Sequence, residues 1–194
     1  MTLLIVIEGP DKVGKETQTK MLVEHLRQLN YKVLHIECPI HDSFTHKKIY
    51  EMLGNGSAKK SPNLFQFVQF LNKYSLQLKL PFLKLKYDYI IFDRWNLSAF
   101  VYGKATRVNP TFNKWMFDRL RSADATIVLT GRKHDTSRQD DDYEKDNDLQ
   151  TCVRNEYSSW VQSHPLNYRM IDCKGTRIDV HNRILESLNE MGVV

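Results

Sequence analysis

No apolar run in this chain approaches the ~20 residues that span a bilayer, so no transmembrane segment is expected. The N-terminus also lacks a cationic stretch followed by a cleavage site. Met1 and Thr2 lead straight into Leu3-Leu4-Ile5-Val6-Ile7, and no signal peptide is expected. Cysteine is scarce: Cys38, Cys152 and Cys173 are an odd number at no metal-like spacing. That argues against a disulfide framework and suits reduced thiols in a cytoplasmic protein. The histidines His25, His35, His46, His164 and His181 show no triad or metal spacing. There is no internal repeat, no low-complexity segment and no linker, so one domain is expected over 1–194. Charge of one sign is not concentrated either. The net charge is +5, with no Lys/Arg-rich run interleaved with aromatics, and nucleic acid is not an expected partner.

The composition that remains is ordinary for a soluble globular protein, 41% hydrophobic and 26% charged. Strand-like runs at 3–7, 32–36, 89–92, 126–129 and 169–171 alternate with helix-like ones. The helices are expected at 17–29, 45–53, 62–79, 97–101, 113–120, 149–162 and 178–191. This alternation predicts an α/β protein with a parallel sheet. Ser61-Pro62 reads as an N-cap with proline at the first helical position.

The densest signal is Gly9-Pro10-Asp11-Lys12-Val13-Gly14-Lys15-Glu16-Thr17, between the first strand and the first helix. Strand, glycine-rich loop, lysine and helix is how backbone wraps phosphates. The loop N–H groups face the anion, the helix N-terminus adds partial positive charge, and Lys15 reaches the outer phosphates. A simple glycine turn would need no lysine and no flanking strand and helix. After G-x-x-x-x-G-K a Ser or Thr is expected to ligate Mg²⁺. Glu16 stands there, and Thr17 supplies a hydroxyl one place later.

A second motif, Ile90-Ile91-Phe92-Asp93-Arg94-Trp95, ends an apolar strand in Asp-Arg. An acid there is where phosphate-binding loop proteins hold Mg²⁺, usually through water. The arginine can fork onto a second phosphate. Read as a surface ion pair the motif would mean little, but both motifs fall at strand C-termini, where α/β ligands sit. The most polar stretch, 131–148, holds Arg132, Lys133, His134, Arg138 and Asp140-Asp141-Asp142. A solvated loop and a lid with arginine clamps both fit it.

Glu8-Gly9-Pro10-Asp11 through Lys15-Glu16-Thr17-Gln18 resembles the P-loop of thymidylate kinases, E-G-x-D-x-x-G-K-T-T-Q. Asp93-Arg94-Trp95-Asn96-Leu97-Ser98, with Tyr102 following, resembles their D-R-Y-x-x-S segment and later tyrosine. Asp142-Tyr143-Glu144 and Val153-Arg154-Asn155-Glu156-Tyr157 resemble the lid's end and the next helix, and Tyr168-Arg169-Met170-Ile171-Asp172 the last strand. The resemblance implies a P-loop NTPase fold: three α/β/α layers, a central parallel sheet of about five strands, and a short lid at 131–148. It implies transfer of the γ-phosphoryl of MgATP to a pyrimidine deoxynucleoside monophosphate, dTMP foremost, with Mg²⁺ as cofactor and a homodimer as assembly.

By the same resemblance, ATP is held by Gly9, Asp11, Lys12, Val13, Gly14, Lys15, Glu16, Thr17 and Arg132. The acceptor is held by Asp11, Pro39, His41, Gln69, Phe70, Lys73, Arg94, Ser98 and Tyr102. Asp11 sits near the sugar 3′-hydroxyl, and Tyr102 packs under the deoxyribose. Lys15, Arg94, Lys12 and Arg138 carry catalytic charge, and Glu16, Thr17 and Asp93 are the metal candidates.

The departures from the family pattern cluster at the base. His41 stands where an arginine often follows the proline matched by Pro39. Gln69 replaces a stacking phenylalanine, unless Phe70 takes that role. Lys73, a point charge, replaces a forked arginine, and Ala99 replaces a residue that is sometimes polar and base-facing. Phe67, Phe70 and Tyr74 also recur as a core stripe would. Two other readings stay open. One is a deoxynucleoside kinase with Glu37 as base and Gln69 as base reader. The other is a nucleotide-binding module silenced by Glu16.

Overall fold

A computed structural model describes residues 1–41, 44–131 and 143–194. The chain runs β1 (Leu3–Glu8), α1 (Lys15–Gln28), β2 (Val33–Glu37), α2 (His46–Gly54), α3 (Ser57–Lys60), α4 (Pro62–Gln77) and α5 (Leu80–Leu83). It continues β3 (Tyr89–Asp93), α6 (Asn96–Ala105), α7 (Pro110–Arg119), β4 (Ala125–Thr130), α8 (Asn147–Ser163), β5 (Tyr168–Asp172) and α9 (Arg177–Glu190). The strands form one all-parallel sheet in the order β2-β3-β1-β4-β5. The expected α/β architecture and its strands are present, each within a residue or two of the expected bounds.

Parallel strands covered on both faces need apolar residues at every position, and β1 supplies them. Ile5 and Ile7 pack with Leu22 and Leu26 of α1 and Ile184 of α9. Leu4 and Val6 face the other way, toward Phe92, Trp95 and Met116. Helix α1 buries Lys15, Gln18, Thr19, Leu22, Val23 and Leu26, the three-and-four spacing of one helical face. Helices α6 and α8 close a third cluster around Leu97, Val101, Val153 and Tyr157.

Strand order positions the site. The chain leaves β1, lays down β2 two places away, and returns to fill the gap with β3. Ile7 thereby pairs with Asp93, so the loop after β1 and the Asp-Arg turn after β3 emerge side by side. The Arg94 N–H donates to the Ile7 carbonyl at 3.0 Å, tying the two exits together.

Several local features differ from expectation or fall beyond it: α6 runs to Ala105 and not to residue 101, and α7 begins at Pro110 and not at residue 113. Helices α3 and α5 are four residues each, too short to show a period in sequence. Helix α4 stops at Gln77 and not at residue 79. Helix α8 begins at Asn147, inside the stretch expected as lid, with Asp146 accepting from the Leu149 N–H and bridging to Lys59 at 2.7 Å. Most of that stretch, including Arg132 and Arg138, lies outside the described residues. Among the described residues no helix is long and apolar enough to cross a membrane.

Candidate active site

The loop after β1 is shaped by two glycines. Gly9 has φ 140°, and a Cβ there would come within 2.4 Å of the Leu129 carbonyl oxygen on β4. Only glycine lets the strand exit so close to its neighbour. Gly14 caps α1 with φ 91°, a left-handed turn that leaves the first helical N–H groups aimed into the loop. Lys15, 7% exposed, donates Nζ–H to the Pro10 carbonyl across the loop at 2.6 Å. Burial lowers its pKa to about 8, the Arg94 charge adds to this, and Asp11 and Asp93 oppose it.

Across the crevice, Arg94 has φ 67°, an unusual conformation for a residue with a side chain. Its Nη1 donates to the Gly9 carbonyl at 3.2 Å, and its Nη2 forms a close ion pair with Asp11. Asp11 also accepts from the Tyr102 hydroxyl at 2.6 Å and from Gln150 Nε2 at 2.9 Å. Burial alone would raise the Asp11 carboxyl, but Arg94, then Lys15, with the Tyr102 and Gln150 hydrogen bonds, hold it at about 2. Asp93 has the opposite balance: burial lifts it to about 6 against the pull of Lys15 and Arg94.

These groups share one cavity of about 660 Å³. Asp11, Lys12, Val13, Gly14, Lys15, Glu16 and Thr17 line the cavity's end formed by the loop after β1. Asp93, Arg94, Ser98 and Tyr102 line its middle, and Pro39, Gln69 and Lys73 its far end. Gly9 enters through its carbonyl.

Two expected acceptor residues do not belong to this wall. Phe70 is 4% exposed, packs in the core against Phe67, Tyr74 and Trp115, and is not on the cavity wall. His41 stacks on His46 outside the cavity. The aromatics that do reach the wall are Tyr50, Phe65, Tyr102 and Tyr143; Phe65 meets Tyr143 edge-on at 5.6 Å, and Tyr102 lies parallel to Tyr143. Phe65 lies on the same helix as Phe70 but on the face turned to the cavity.

Sequence reading also missed the buried supports. Glu8, 0% exposed, accepts from the Trp95 and Ser98 N–H groups at 2.8 and 3.1 Å and from the Tyr157 hydroxyl at 2.9 Å. Gln150 reaches Asp11 from α8. No local pattern announces either, because their partners lie about 90 to 150 positions away along the chain.

A cation at this site would find carboxylates on the wall that are not gathered into one cluster. Of the three metal candidates, all on the cavity wall, Glu16 is paired with the exposed Lys20 at 2.5 Å, while Thr17 and Asp93 share the wall with the carboxylates of Asp11, Glu37 and Glu144. Among the described residues no cluster of three His, Cys, Asp or Glu side chains could hold a metal. That scattered set fits a Mg²⁺ that keeps waters and rides on substrate phosphates.

A crevice with a phosphate loop on one lip and a buried Asp–Arg pair on the other suits two phosphorylated ligands. The thymidylate kinase family model matches residues 7–184. The chain belongs to the thymidylate kinase family. A putative thymidylate kinase of invertebrate iridescent virus 6 is 32% identical over 130 residues, or 67% of this chain; the match spans 61% of the viral protein. The thymidylate kinase of Plasmodium falciparum (isolate 3D7) is 24% identical over 191 residues, covering 97% of this chain and 90% of the relative.

The structure of Candida albicans thymidylate kinase aligns with TM-score 0.81 at 23% identity, over 97% of this chain and 92% of that one. The Ehrlichia chaffeensis enzyme aligns with TM-score 0.75 at 19% identity, over 96% and 98%. At these identities the structural likeness speaks for the fold, which is that of the P-loop nucleoside monophosphate kinases. Membership of the thymidylate kinase family supports phosphorylation of dTMP by ATP. It favours neither a deoxynucleoside kinase nor a silent nucleotide-binding module, although Glu37 does reach the cavity wall.

Proposed function

We propose that this chain transfers the γ-phosphoryl of MgATP to dTMP, with the roles divided across the β1–β3 crevice. The loop between Gly9 and Thr17 holds the donor phosphates. Lys15 exchanges the Pro10 carbonyl for phosphate oxygens, and Lys12 lends a second positive charge from the same loop. Mg²⁺, held by Thr17 and by Asp93 directly or through water, would neutralise charge on the donor phosphates. Arg94 spends two of its donors on Gly9 and Asp11 and has others left for the acceptor phosphate. Asp11 and Tyr102 take the deoxyribose, and Lys73 and Gln69 take the base. Arg132 and Arg138 are proposed as clamps from the lid. The acceptor phosphate is already an anionic nucleophile, so catalysis is alignment and charge neutralisation without a strong base.

The observation that carries this reading is the Arg94–Asp11 pair. It joins the acceptor side to the donor loop inside one cavity. A coupled ADP-release assay across nucleoside monophosphates and nucleosides tests it. Turnover with dTMP and not thymidine is expected, and turnover with thymidine alone would overturn it. Three free cysteines support a cytoplasmic setting. The exposed Leu64 and Leu71 of α4, with Leu78 at its C-cap, support a homodimer.

A further inference from the structure

Helix α4 turns Gln66, Gln69 and Lys73 toward the far end of the cavity. Their spacing, i, i+3 and i+7, puts them on one helical face. Two of these side chains are buried with unmet needs. Gln66 is 2% exposed, and its Oε1 has no hydrogen-bond partner among the described residues. Lys73 is 3% exposed and forms no ion pair among the described residues; its Nζ donates to Gln69 Oε1 at 3.4 Å. A buried acceptor and a buried cation left this way are costly unless a ligand completes them.

The two needs are opposite in sense and lie on one helical face, with Gln69 between them. Long helical side chains lean toward the N-terminus. The Lys73–Gln69 contact shows that lean, and it brings the cation to within one turn of Gln66. The surrounding wall is aromatic, with Phe65, Tyr102 and Tyr143, while Ala99 on α6 offers no polar group. A fitting ligand is a flat ring whose edge has an N–H beside a carbonyl oxygen. That is the imide edge of a pyrimidine-2,4-dione. Cytosine presents the reverse, a ring acceptor beside an amino donor.

We propose that Gln66 is a specificity-determining residue, its amide oxygen accepting the N3–H of a pyrimidine-2,4-dione while Lys73 faces the neighbouring carbonyl. This rests on the reading of the far end of the cavity as the acceptor-base site. Gln66 then replaces the polar contact that Ala99 cannot make.

The test compares dTMP, N3-methyl-dTMP and dCMP as acceptors for the wild-type chain and for Gln66→Ala, with kcat and KM resolved. In the wild type, N3-methylation should cost about 10-fold or more in kcat/KM, because it removes the donor and fills its place. In Gln66→Ala the dTMP KM should rise about 10-fold, with kcat and the ATP KM little changed. The penalty for N3-methylation should fall toward unity there, since both the acceptor and the obstruction are gone. A merely structural role for Gln66 would not move that ratio. Equal use of dTMP and N3-methyl-dTMP by the wild type overturns the proposal without any variant. An undiminished penalty in Gln66→Ala overturns it too. A wild-type chain that phosphorylates no pyrimidine-dione monophosphate at all overturns the underlying reading as well, which separates the two failures.

Discussion

Lys15 is held by a neutral carbonyl at 2.6 Å in a buried loop, and that environment sets its titration. Its pKa of about 8 means that the charged form begins to disappear just above neutral pH. The sign follows directly: the protonated lysine binds phosphate, so kcat/KM for ATP should fall as pH rises through about 8. Bound phosphates favour the charged form, so kcat itself should persist to higher pH. A kcat/KM profile flat to pH ~9.5 would count against Lys15 as the phosphate contact. Lys15→Ala should keep its circular dichroism and melting point yet lose at least about 100-fold in kcat. Arg94 should behave differently if its remaining donors take the acceptor phosphate as proposed. Arg94→Ala should raise the dTMP KM and lower kcat while leaving the ATP KM near its wild-type value. A variant in which only the ATP KM rose would assign Arg94 to the wrong substrate. The same change leaves Asp11 without its counter-charge. Stability that Asp11 contributes above its unfolded pKa, and loses as pH falls toward 2, should shrink in that variant.

The elements are tied to one another by Glu8, which ends β1 and serves as a cap for α6. The N-cap residue Trp95 makes no capping bond with its side chain, whose Nε1–H donates to the Arg121 carbonyl instead. Glu8 instead accepts the Trp95 and Ser98 N–H groups and leaves its second oxygen to Tyr157 of α8. Tyr157→Phe orphans that oxygen and should cost about 1–3 kcal/mol, read as a drop of several degrees in Tm. Glu8→Ala should cost more and also raise the dTMP KM, because the turn carrying Arg94 loses its anchor. An unchanged KM in a folded Glu8→Ala chain would reduce Glu8 to a purely structural support. The sheet was legible in the sequence because runs such as Ile90-Ile91-Phe92 suit strands buried on both faces. The phosphate loop was legible because its glycines and lysine act within nine residues. The Glu8 and Gln150 contacts were not, since they join residues far apart in the chain and follow no period. Helix α4 was legible as a helix, yet its aromatic spacing does not say which face meets the sheet. Phe70 therefore read as a base contact, while the wall belongs to Phe65.

At the scale of the whole molecule, α4 has two working faces. At 100° per residue, Gln66, Gln69 and Lys73 fall on one side of the helix, and Leu64, Leu71 and Leu78 on the opposite side. The first set lines the cavity, at the end proposed for the acceptor base. The second is 53%, 38% and 62% exposed and runs the length of the helix as an apolar stripe. The helix has no exposed charge to oppose a partner, since Lys73 is its only charged residue and is buried, and a second copy pairing α4 on α4 would bury the stripe symmetrically. Assembly would then brace the helix that carries the base-facing residues. Sedimentation at micromolar concentration should give a mass near twice that of the chain, and Leu71→Glu with Leu78→Glu should halve it with the fold retained. The separated chain should also show a raised dTMP KM with the ATP KM little changed, since only the acceptor wall rides on α4. A wild-type monomer would remove the dimer from the proposal. A dissociated variant with unaltered acceptor kinetics would leave the dimer in place but uncouple it from the base site.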